Sequence, residues 1–107
     1  MNRMLIVALL GALLPLPAAA SLALAQKHSC MACHALDKPL VGPPFRTVAR
    51  TYAGKQGAEA RLIQKVRNGG SGAWGKLPMP PNPQVGDADL RALVKWILAL
   101  PPQPAQP

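Results

Sequence analysis

Three stretches of this chain repeat apolar residues at helical spacing, a fourth reads as a short helix, and glycine and proline interrupt the pattern between them. Ser21 to His28 comes first: about two helical turns with Ser21 as a candidate N-cap. In Phe45 to Tyr52, Phe45, Val48, Ala49 and Tyr52 fall on one face. In Gly57 to Asn68 the stripe is Leu62, Ile63 and Val66, with Glu59 early and Lys65 and Arg67 late, as the helix dipole favours. The last helix runs from Asp87, a candidate cap, to Leu100. It carries Leu90, Leu93, Val94, Ile97 and Leu100, with Trp96 at the flank. Pro101 and Pro102 stop it. Residues 35–42 and 71–86 read as loops. No strand and no internal repeat is visible, so the pattern predicts one all-α domain.

The first twenty residues follow a different logic. Arg3 supplies a positive start, Leu5 to Leu14 an apolar run, and Pro15 and Pro17 break any helix. Small residues follow at Ala18-Ala19-Ala20 and again at Ala23-Leu24-Ala25. This is the layout of a secretory signal peptide over residues 1–20, cut after Ala20, and it predicts a periplasmic protein. Cutting after Ala25 would delete the first helix. An uncleaved membrane anchor is the rival reading; the apolar run is long enough to span, but its two prolines oppose it. At the other end, residues 101–107 read as a proline-rich disordered tail.

Charge narrows the partners. The chain of 107 residues has a net charge of +8 with four acidic residues, Asp37, Glu59, Asp87 and Asp89. Phe45, Tyr52, Trp74 and Trp96 are too few and scattered for a base-stacking platform, and no long basic run exists, so nucleic acid is not the expected partner. The field suits docking onto acidic proteins; plain solubility is the simpler alternative.

The chemistry sits in Cys30-Met31-Ala32-Cys33-His34. Two thiols three positions apart with a histidine directly after the second form a c-type haem attachment site. Each sulfur adds to one vinyl group of the same rigid macrocycle, and one turn of chain sets their separation. The histidine then falls beneath the ring as the proximal iron ligand. A zinc ribbon would need further ligands, and the chain has no other cysteine and only His28 besides His34. A thioredoxin-like dithiol would need a βαβ pattern, which is absent. A covalent haem also answers a size problem, since so short a chain makes a thin core.

The iron then needs a sixth ligand. Met1 and Met4 leave with the signal peptide, and Met31 sits between the thiols, on the wrong face. Met79 remains, in Lys76-Leu77-Pro78-Met79-Pro80-Pro81. A methionine among prolines in a non-helical loop is a poor core residue, and the prolines restrict the loop before ligation. Metal ligation by His34 and Met79 is therefore expected. His28, on the attachment side, reads as exposed and without a role.

Taken in order, Cys30 to His34, Val41-Gly42-Pro43, Ala53-Gly54, Val66 to Gly69, Trp74-Gly75, Pro78 to Asn82 and Lys95-Trp96 resemble the small bacterial class I cytochromes c of the c-551 type. The resemblance covers almost all of residues 21–100. It implies the cytochrome c fold, with four or five short helices wrapped around one covalently attached haem c. It implies that the Pro43 carbonyl accepts a hydrogen bond from the His34 imidazole. It places Trp74 on a haem propionate and Asn82 near the methionine sulfur. Lysine at position 65 stands where arginine more often contacts a propionate. Ala25 replaces a larger aromatic, which predicts looser packing of the first helix near Trp96.

With both axial positions filled, the predicted function is that of a soluble monomeric electron carrier in a respiratory chain, and not an enzyme. Lys27, Lys38 and Lys76 would surround the haem edge. The resemblance suggests a bc-type complex as donor and nitrite reductase or a terminal oxidase as acceptor; membrane contact is expected only if the N-terminal segment stays uncleaved. A haem enzyme such as a small peroxidase needs an open distal position, and no distal histidine or arginine is placed for it. A dithiol module is the remaining alternative.

Overall fold

The computed structural model describes residues 18–102 and Gly11. Four α-helices follow one another: α1 (Ala18–Lys27), α2 (Phe45–Tyr52), α3 (Ala58–Asn68) and α4 (Asp87–Ala99). A single 3-10 turn spans Cys30–Ala32 between α1 and α2. Among the described residues there is no strand, only an isolated antiparallel bridge between Gly70 and Met79. The fold is all-α, with helix packed on helix.

Helix α4 packs against α1, α2 and α3. Its apolar stripe explains this, because Leu90, Leu93 and Val94 project into the space between the other three. Leu90 is 0% and Val94 1% exposed. Ala25 of α1, Phe45 and Val48 of α2, Leu62 of α3 and Val85 complete the buried cluster. Ala25 is also 0% exposed. The small side chain is thus fully covered where α1 meets the core.

The helix ends depart from the sequence pattern in two places. Helix α1 begins at Ala18, so Ser21 is a buried residue inside it and not its cap. At α4 the capping position belongs to Gly86, and Asp87 is the first helical residue. The Asp87 carboxylate instead pairs with Arg67 of α3, tying the end of one helix to the start of another. Asp87 and Asp89 still lie in the first turn, where negative charge meets the positive end of the dipole.

Residues 1–10 and 12–17, which hold most of the expected signal peptide, and 103–107 of the tail lie outside the described residues. No helix among the described residues is long and apolar enough to cross a membrane.

Candidate functional site

The attachment motif is shaped by the end of α1. Ser29 adopts a left-handed conformation with φ 63°, which turns the chain out of the helix. The following 3-10 turn places two amides, those of Cys33 and His34, on the Cys30 carbonyl at 3.2 and 3.0 Å. One turn of backbone therefore separates the two sulfurs. Neither cysteine is in a disulfide, and both are half-buried. Burial pushes the Cys30 thiol above its ordinary pKa, with a backbone hydrogen bond working in the opposite direction.

His34 is fixed from three directions. Its Nδ1 lies 2.8 Å from the Pro43 carbonyl oxygen. A carbonyl can only accept, so Nδ1 carries the proton and the lone pair is on Nε2. The Phe45 ring stacks on the imidazole with centroids 4.8 Å apart at 21°, and Trp96 meets Phe45 edge-on at 5.9 Å. On the remaining side is Gly42. A Cβ there would lie 2.5 Å from His34 Cε1 and 2.8 Å from Nδ1, so only glycine permits this approach. The loop itself is anchored by Gly42 N–H on the Cys33 carbonyl at 2.8 Å. The first two amides of α2, Phe45 and Arg46, donate to Ala35 and Leu36 at 2.9 and 3.1 Å. Those amides have no partner within their own helix, so α2 and the loop after His34 satisfy each other.

Cys33, His34, Trp74 and Met79 line one cavity of about 500 Å³, within the range of ligand pockets. Its apolar wall includes Leu62, Val66, Val94 and Ile97. A second cavity of about 280 Å³ shares Cys33, His34 and Met79 with the first and adds Cys30 and Asn82. The structure thus brings Cys30, Cys33, His34, Met79, Trp74 and Asn82 around contiguous space, with Pro43 behind His34.

Two sequence expectations change. His28 is not exposed: its side chain is 14% accessible, and Nε2 lies 2.9 Å from Asp89 of α4. Lys27 stands 3.9 Å from the same carboxylate and does not line the large cavity, whereas Lys65 and Lys76 do. The Asn82 amide nitrogen donates to the Pro80 carbonyl at 3.0 Å, with the Val66 carbonyl at 3.5 Å. It braces the methionine loop through its backbone. Phe45, Gly42 and the exposed apolar rim of Leu40, Val41 and Leu77 were not singled out as site residues. Phe45 was hidden by its helical periodicity, which marks it only as core.

The whole described domain, residues 18–101, matches the family model described as Cytochrome c. The chain belongs to the cytochrome c family. Its relatives include the cytochrome c-551 of Allochromatium vinosum, 51% identical over 78% of this chain and 88% of that protein. The cytochrome c-551 of Pseudomonas aeruginosa is 47% identical over 69% of this chain and 70% of its own. The crystal structure of Nitrosomonas europaea cytochrome c552 superposes with a TM-score of 0.70 at 47% identity, covering 72% of this chain and 95% of that one. Class I cytochromes c of this size are mono-haem electron carriers, and their one haem c is covalently bound. In this cytochrome the two thiols of the C-x-x-C-H motif, Cys30 and Cys33, are the attachment points.

Proposed function

We propose that this cytochrome is a periplasmic electron carrier whose iron is held by His34 and Met79. The observation that carries the reading is the Nδ1 hydrogen bond of His34 to Pro43, which leaves the Nε2 lone pair free on a side chain that lines the same cavity as Met79. The haem supplies a reversible one-electron iron couple, and a thioether ligand raises its potential. Everything else falls to the chain's own side chains. Pro43 and Phe45 hold the imidazole. Trp74 and Lys65, both on the cavity wall, would meet the propionates. Leu62, Val66, Val94 and Ile97 exclude water from the ring. Asn82 keeps the methionine loop closed through Pro80.

Docking follows from the rim. Leu40, Val41 and Leu77 are exposed large apolar residues around the cavity, Leu77 being 72% accessible. Lys76 stands beside them, and Lys38 adjoins Pro39 of the same wall. An apolar rim with lysines beside it suits brief contact with acidic redox proteins. The proposed partners are a bc-type complex as donor and nitrite reductase or a terminal oxidase as acceptor.

Export is part of the proposal. Cutting after Ala20 leaves Ser21 and Ala25, both buried, in place; cutting after Ala25 would remove a residue of the core. The intact mass of the periplasmic protein decides between them. For the function as a whole, the test is voltammetry combined with ligand exposure at neutral pH. The carrier reading expects one reversible one-electron wave and no ready binding of carbon monoxide or cyanide. Ready binding would instead support a haem enzyme with an open iron.

A further inference from the structure

We propose that Gly69 is the positioning residue for Met79: the end of α3, not the long loop before the methionine, sets where the sulfur sits over the haem. This rests on the reading of Met79 as an iron ligand. In Pro78-Met79-Pro80-Pro81, three residues have no N–H, so Met79 owns the only backbone donor of the four. That donor goes to the Gly70 carbonyl at 2.9 Å, and Gly70 N–H returns a bond to the Met79 carbonyl at 3.0 Å. Asn82 N–H reaches the Val66 carbonyl, inside α3, at 2.9 Å. The methionine segment is thus fastened at one end to the residue just past the cap of α3 and at the other to α3 itself. Residues 71–78 are all exposed and give it no comparable hold.

The close approach depends on position 69. Gly69 caps α3 with φ 66° and ψ −162°, a conformation essentially confined to glycine, and its N–H bonds the Lys65 carbonyl at 2.8 Å. A Cβ there would lie 2.3 Å from the Met79 carbonyl oxygen, 2.7 Å from Pro81 N and 2.9 Å from Pro80 C. All three are backbone atoms, which cannot step aside as the tip of a side chain can. Any side chain at 69 must therefore push the methionine segment away from α3. Gly57, at the other end of the same helix, has φ 77° but nothing within 4 Å of its Cβ position. Alanine there strains the backbone without touching Met79.

The experiment compares holoprotein carrying Gly69→Ala, Gly57→Ala or Met79→Ala with the wild type, reading the deep-red ferric band of the iron–sulfur bond, ferrous carbon monoxide affinity and the thermal midpoint. Gly69→Ala is expected to weaken the band and tighten carbon monoxide binding at least about tenfold. Gly57→Ala should lower the midpoint while band and affinity stay at wild-type values. A Gly69→Ala protein with wild-type band and affinity overturns the proposal. If Met79→Ala also matches the wild type, the ligand assignment itself falls and the proposal with it. Should Gly69→Ala fail to mature, amide exchange in the wild-type ferrous protein decides. Met79 N–H should be protected like the last turn of α3; exchange at the rate of an open loop overturns the proposal.

Discussion

A single added methyl group at Gly42 is expected to disturb the iron more than the fold. The Cβ of Gly42→Ala would stand 2.5 Å from His34 Cε1, and the imidazole is already wedged by Phe45 and hydrogen-bonded to Pro43. The ring must tilt, stretching the bond that orients it. The expected outcome is a shifted reduction potential with the far-ultraviolet helical signal intact, read by voltammetry and circular dichroism on the same sample. Cys30 and Cys33 were legible from sequence because haem attachment needs those residue types at that spacing, and the same reasoning singled out His34 and Met79, which the structure brings to one cavity. Gly42 and Gly69 were not, because what they supply is the absence of atoms, and that matters only once the neighbouring backbone is in place. His28 misled for a related reason: its partner Asp89 is 61 positions away, so nothing local marks it as half-buried.

Helices α2, α3 and α4 were legible because their apolar stripes are clear, and α2 keeps the expected limits, Phe45–Tyr52. The ends of α1 and α4 were less so, since a serine or aspartate near a helix start can serve as cap, as first-turn charge or as cross-helix partner. Tertiary contacts decide among these. Helix α4 is the element on which the others lean, so its core positions should be costly. Leu90→Ala is expected to destabilise the holoprotein by about 2–5 kcal/mol, measured by chemical denaturation, because a fully buried leucine is replaced by a cavity. The link between α1 and α4 through His28 and Asp89 is lighter. Asp89→Ala should cost about 0.5–1.5 kcal/mol in the same assay, the net worth of one hydrogen bond in a partly exposed place. A loss near that of Leu90→Ala would show that the pair does more than join two helices.

At the scale of the whole molecule, a strongly positive chain presents an apolar rim beside its cavity mouth. That combination predicts electrostatic steering. Association with an acidic redox partner should slow steeply as salt rises, since charges further apart than about 10 Å are screened at 0.1 M. Lys76→Glu should lower the association rate while leaving the reduction potential near the wild-type value, as stopped-flow and voltammetry can check together. Rates indifferent to salt would remove the acidic partner from the account. The basic excess could be read from composition, but which lysines face the cavity could not. Lys27 proves to be beside Asp89 and off the large cavity, while Lys65, on a helix face, lines it.

The measurement that bears most directly on the account is the optical spectrum of the periplasmically expressed protein, oxidised and then reduced. His34 and Met79 as joint ligands predict c-type haem bands in both states and a weak deep-red band in the ferric state alone. Haem bands without the deep-red band would contradict Met79 as a ligand and with it the reading of a closed, carrier-type iron.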